Sequence, residues 1–175
     1  MKPYLLRLIC SDTKKRIIFS ALILFIFGIA GVQSAETFRG IPWGADKKEV
    51  PDLVEGPKRA EVEAFTRSEQ RRVGEIAVES IYYLFYKGKF GAAMILFQGP
   101  SNFSGLRGAL SQKYGLGVKG GQLQEEYTWD LDDLSIYFEY SPVRKKGSIN
   151  YFFKPLVQQR EEDLAKAKKK ALDDL

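Results

Sequence analysis

Histidine is absent from the 175 residues, and cysteine occurs once, at Cys10. Without histidine the chain cannot build Ser-His or Cys-His catalytic pairs, the usual zinc sites, or a haem attached through C-x-x-C-H. Cys10 stands ahead of a long apolar run rather than after it, so it is not placed as a lipid-anchor cysteine. The rest of the chain has neither a disulfide nor a thiol nucleophile. Carboxylates, lysines, tyrosines and hydroxyls remain for chemistry, and no constellation of them is visible. No catalytic, cofactor-binding or metal-ligating residue is assigned, and no cofactor is expected.

An excess of one charge is also missing once the N-terminus is set aside. Lys14, Lys15 and Arg16 precede an uncharged run from Ile17 to Val32, followed by Gln33, Ser34 and Ala35. Basic segment, apolar core and small residues at the exit are the three parts of a secretory signal. Val32 and Ser34 suit a cut after Ser34, with a cut after Ala35 as the second choice. The run has 16 residues, short of the roughly 20 that span a bilayer, and an uncleaved inner-membrane anchor over residues 17–32 is the alternative. The first 34 residues hold five of the 27 basic and one of the 22 acidic residues. The chain from Ala35 onward carries 22 basic against 21 acidic residues, a net charge of +1. The basic stripe expected of a nucleic-acid binder is not evident. Residues 1–34 therefore read as signal or anchor, the only membrane-directed part. Residues 35–155 read as one domain and 156–175 as a charged helical tail.

The domain reads as alternating helical and strand segments. Asp46 with Glu49 resembles a capping box opening a helix over "DKKEVPDLVEG", which Pro51 shortens or kinks. Phe65 and Thr66 mark a strand, and "ESIYYLFYKGKFGAAMILFQG" reads as a hairpin turning at Lys87-Gly88-Lys89. Both arms of that hairpin are apolar on both faces. This predicts central strands covered on each side, or one face kept for a partner. Phe103, Leu106, Leu110 and Tyr114 form the apolar stripe of a second helix, with Ser101 or Asn102 at its start and Gly115 at its end.

Gly115, Gly117 and Gly120 spell G-x-G-x-x-G, yet they close a helix instead of following a strand and opening one. They read as a helix cap plus a flexible loop, not as a dinucleotide site. Three strands with period-two patterning come next. Tyr127, Trp129 and Leu131 share one face, as do Leu134, Ile136, Phe138 and Tyr140, and then Ile149, Tyr151 and Phe153. The tail is charge-laced, with Glu162–Lys166, Lys169–Asp173 and Lys170–Asp174 spaced i,i+4 and a thin seam of Leu164, Ala167, Ala171 and Leu175. It reads as a solvated helix, with docking to a partner as the alternative.

Three features invite over-reading. Asp130, Asp132 and Asp133 lack calcium-loop spacing and fit turn chemistry. Asn102 heads a glycosylation sequon but suits a helix cap better. The sheet aromatics, with Lys87, Lys89 and Lys154 near them in sequence, suit packing better than a stacking surface.

"FRGIPWGADKKEV", "IYYLFYKGKF", "SNFSGLRGALSQKYG" and "YTWDL…IYFEY…GSINYFFKP", in this order, resemble an uncharacterised group of small exported bacterial proteins. That group carries Trp-Gly before its first helix and a Lys-Tyr-Gly ending to its second. The resemblance covers about Thr37 to Pro155 and implies a cell-envelope location and an α+β fold, with no activity attached. More loosely, the element order is similar to a small envelope-assembly lipoprotein and to β-lactamase inhibitor protein, a likeness of fold that does not fix function.

The expected fold is α+β: an antiparallel sheet of about five to six strands with helices packed on one face, plus a C-terminal charged helix. The expected function is that of a non-catalytic exported periplasmic or envelope protein, a binding or assembly module for an unknown envelope protein or ligand. A small enzyme using carboxylate or tyrosine chemistry is the alternative.

Overall fold

The computed structural model describes residues 37–59, 61–121 and 125–173; the signal or anchor expected at 1–34, with Cys10, lies outside them. The described strands are β1 (Thr37–Phe38), β2 (Ile41–Pro42), β3 (Leu53–Arg59), β4 (Val62–Arg67), β5 (Arg72–Val73) and β6 (Ile76–Ala77), then β7 (Ser80–Tyr86), β8 (Lys89–Gln98), β9 (Val118–Gly120), β10 (Glu125–Asp130), β11 (Leu134–Ser141) and β12 (Lys146–Phe153). Two helices, α1 (Pro100–Tyr114) and α2 (Lys154–Asp173), complete the α+β fold.

Eight strands form one antiparallel sheet in the order β3-β4-β7-β8-β12-β11-β10-β9. Two four-stranded meanders thus join along β8 and β12, so each meander's last strand lies at the centre. The sheet exceeds the expected five to six strands because β3 and β9 join it. Residues assigned to a first helix form only a 3-10 turn, Lys47–Glu49. Asp46 does cap it, accepting from the Lys48 N–H at 3.0 Å. Val50, the residue before proline, is then extended at φ −95° and ψ 114°, as the proline ring demands of its predecessor. The chain continues directly into β3.

Turn chemistry sets the central hairpin. Lys87 and Gly88 both have positive φ, 49° and 76°, the two-residue turn whose twist matches the flanking strands. Register then pairs Tyr83 with Ala93 and Ile81 with Ile95 on one face, and Tyr82 with Met94 and Leu84 with Ala92 on the other.

The first face is the core. Ile81, Tyr83, Ile95, Phe97, Ile136, Phe138 and Ile149 are buried there, together with Phe103, Leu106 and Leu110 of α1. The expected alternation holds through the meander, with Trp129, Leu134, Ile136, Phe138 and Tyr140 all buried. Phe103 stacks on Phe138 and Tyr140 at 5.3 and 4.7 Å between ring centroids. The β1–β2 ribbon closes one side, with Trp43 stacked on Phe90 at 4.7 Å.

α1 begins earlier than expected, with Pro100 in its first turn after Gly99. Asn102 does not cap it. Its side-chain amide instead donates to the carbonyls of Gln98 and Ala77, tying the helix to β6. The β5–β6 ribbon is an element the sequence pattern did not reveal.

The helices do not share a face. α2 lies across the second face, where Leu156 packs over Gly91 at the start of β8. Asp163 accepts from the Tyr86 hydroxyl at 2.8 Å and pairs with Lys87 at 2.6 Å. Beyond Asp163 the seam residue Leu164 is 46% exposed.

Candidate functional site

The glycine-rich loop sits where α1 ends. Gly115 has φ +82° and its N–H donates back to Ser111, so the helix presents carbonyls here. The Gly115 carbonyl is taken by the Trp129 indole N–H at 2.8 Å. The start of the loop is therefore tied to β10 at Gly115. Anion binding uses free N–H groups at a helix N-terminus, and this end has the opposite polarity.

The lysines near the sheet aromatics are committed to carboxylates. Lys87 pairs with Asp163, Lys89 with Asp46 at 3.6 Å and Lys154 with Asp130 at 2.7 Å. Hydrogen bonds from Lys154 and Ser135 hold the Asp130 carboxyl below its ordinary range. Asp132 and Asp133 are exposed in the β10–β11 turn, and the Asp133 carbonyl accepts from the Lys154 N–H. Among the described residues, no group of three or more Cys, Asp or Glu is placed to hold a metal ion.

Among the described residues, phenol hydroxyls meet carboxylates at Tyr86–Asp163, Tyr127–Glu125 and Tyr83–Glu69, and the last has the most buried tyrosine. The Tyr83 hydroxyl donates to Glu69, which also pairs with Arg39 at 3.1 Å. Arg39 donates onward to the Arg72 carbonyl at 2.8 Å. Burial first, then the bond to Glu69, pushes the Tyr83 hydroxyl up to about 12. Tyr83 is fully buried, so its oxygen meets no substrate. The cluster fastens the segment after β4 and the β1–β2 turn to the sheet. Nearby, a cavity of about 170 Å³ between α1, the sheet and the β1–β2 ribbon is lined by Trp43, Leu110, Tyr114 and Tyr151. Burial raises the Tyr151 hydroxyl above its ordinary value.

A larger concavity than this cavity lies on the second face. Strands β4, β7, β8 and β12 place Ala64, Leu84, Ala92 and Phe152 side by side in register. Tyr82 and Met94 form the adjoining row. Leu156, Val157 and Arg160 of α2 form one wall, and the groove measures about 630 Å³. That volume falls in the range of roughly 300–1,000 Å³ typical of ligand sites. Most of its side chains are half-buried: α2 covers these central strands only in part. Toward β11 the same face turns polar. Ser148 donates to Glu139 at 2.8 Å and Asn150 to Ser148 at 2.7 Å. Tyr137 stands 50% exposed, edge-on to Phe152.

The doubly apolar hairpin was the sequence signal for this groove. Arg160 had no such signal, because the tail is rich in cations and only the docking of α2 singles this one out. No helix among the described residues is long and apolar enough to cross a membrane. No protein-family model, curated protein or solved structure matches the chain.

Proposed function

We propose that this protein is a non-catalytic, exported component of the cell envelope that works as a binding or assembly module through the groove on its second sheet face. The observation that carries this reading is a set of central strands whose second face is apolar yet only partly covered by α2. Apolar surface held half-open on a rigid sheet favours whatever removes it from water, at about 25 cal/mol per Å². The address rests on the basic, apolar and small-residue order of residues 14–35 and on the resemblance to small exported proteins, with an uncleaved anchor over 17–32 as its variant.

The enzyme alternative has the Tyr83–Glu69–Arg39 cluster in its favour. The burial of Tyr83 counts against it, since general acid–base catalysis needs the group within hydrogen-bond reach of substrate.

A photo-crosslinking residue placed at Tyr82, Met94 or Leu96 in living cells tests the reading. Envelope-specific adducts from these positions, and none from Val143 in the β11–β12 turn, are expected. Equal labelling at Val143, or none at the groove, defeats it.

A further inference from the structure

We propose that the groove takes a single-chain anionic amphiphile, a free fatty acid, with its alkyl chain along the sheet and its carboxylate against Arg160. This rests on the reading of the groove as the binding site and names its occupant.

Three observations carry it. First, the floor is smooth and uninterrupted by charge. Ala64, Leu84, Ala92 and Phe152 run across four adjacent strands in register. Four strands span roughly 14 Å, the reach of an alkyl chain of about ten to twelve carbons. The row offers a continuous apolar track and no directional polar group of the kind a peptide backbone would need.

Second, the wall carries one cation at the right place. Leu156, Val157, Arg160 and Asp163 fall on one helical face, the face α2 turns to the sheet. Asp163 is spent on Lys87 and Tyr86, and Glu162 accepts from Gln158. Arg160 lines the groove and makes no hydrogen bond or ion pair among the described residues. A guanidinium with its stem on apolar surface and its head toward water suits a carboxylate at the groove's mouth.

Third, the surroundings select for sign. The polar half of the same face presents Glu139 opposite Glu126 across β10 and β11, which repels a second anionic head. The anionic head is thereby favoured on the α2 side, where Arg160 stands.

Calorimetric titration of sodium dodecanoate, below its micelle concentration, into the protein as it accumulates in the producing cell tests this. One-to-one binding is expected, tightening about four-fold per added methylene, the equivalent of about 0.8 kcal/mol, and levelling off once the chain fills the track. Dodecyltrimethylammonium, with the same chain and the opposite head, should bind at least about ten-fold more weakly. Arg160→Gln should erase that difference; its side chain is exposed, so the fold is not at risk. Val157→Trp should fill the groove from the helix side and weaken dodecanoate at least about ten-fold; because Val157 also helps to seat α2, Arg160→Gln, which leaves that packing intact, is the deciding variant. Equal affinity for the two head groups, no response to either substitution, or binding to phosphatidylglycerol vesicles without binding to dodecanoate overturns the proposal. Groove cross-links to a protein without dodecanoate binding leave the binding reading standing and remove this occupant. Absence of both removes both.

Discussion

The indole of Trp129 occupies the space beside Gly117 that any side chain would need. A Cβ on Gly117 would lie 2.7 Å from two atoms of the ring, while the indole N–H holds the Gly115 carbonyl at 2.8 Å. The glycine at 117 is thus required by close approach, and Gly117→Ala must displace a buried indole. We expect a loss of about 1–3 kcal/mol, the usual cost of overpacking. Trp129→Phe removes the larger ring, so the double mutant should lose less than the sum of the two singles. Urea denaturation of the four proteins measures that coupling. Gly120→Ala should be near neutral, because its nearest neighbour is a Glu126 side-chain oxygen at 3.7 Å.

Phe138 tests the face assignment of the sheet. It is 1% exposed and lies between Phe97 and Phe103, at 5.5 and 5.3 Å. Phe138→Ala leaves a cavity bounded by a sheet and a helix that cannot both relax. The expected loss is about 3–5 kcal/mol. The neighbouring Tyr137→Ala acts on a side chain at the sheet surface and should cost less than about 1 kcal/mol. Comparable losses at the two positions would contradict the register.

Tyr83 makes stability depend on alkaline pH. Its ordinary value is 10.0 and the folded protein raises it to about 12. The unfolded chain therefore gives up this proton first. The contribution is complete below pH 10 and is lost as the pH rises through 12, in full about 3 kcal/mol at 1.36 kcal/mol per unit. Tyr83→Phe should flatten that part of the pH profile while the other tyrosines titrate alike in both proteins. Denaturation midpoints at pH 9 and 11.5 give the two slopes.

Period-two alternation over Tyr127–Asp130, Leu134–Tyr140 and Ser148–Phe153 stated the core face correctly, because one buried and one wet face leave a one-residue slip no way to hide. The segment after Asp46 misled for a local reason. Its cap is real, but proline conformation at Val50–Pro51 outweighs capping, and β3 is decided by pairing with β4, a contact that no single segment encodes. The β5–β6 ribbon was obscured by its length, two residues on each side of Gly74-Glu75. Its Ile76 is placed by α1, packing beside Gly105. The groove was half legible. The apolar second face of β7 and β8 was plain in the sequence, whereas its wall depends on where α2 docks, which the charged tail does not announce.

The docking of α2 divides the tail into two parts that truncation can separate. Residues from Lys154 to Asp163 hold the sheet through Leu156, Val157 and the Asp163 contacts. Residues after 164 add only exposed positions among those described. Removing 165–175 should therefore leave the melting temperature within about 2 °C, a change well under 1 kcal/mol for a domain of this size. Removing 156–175 takes away the groove wall and uncovers Tyr86, Leu84 and Ala92, so a clear drop in melting temperature and binding of a hydrophobic dye are expected. Acid should loosen the same attachment. Hydrogen bonds from Lys87 and Tyr86 hold the Asp163 carboxyl below its ordinary 3.8. Its contribution is present above pH 3.8 and is lost as the pH falls through the lower, folded value. A carboxyl titration by NMR should find that midpoint depressed in the intact protein. Lys87→Gln, which removes the first of the two donors, should move it back toward 3.8. A midpoint indifferent to Lys87 would mean that the ion pair does not help to hold the helix, leaving the Tyr86 hydrogen bond and the apolar residues.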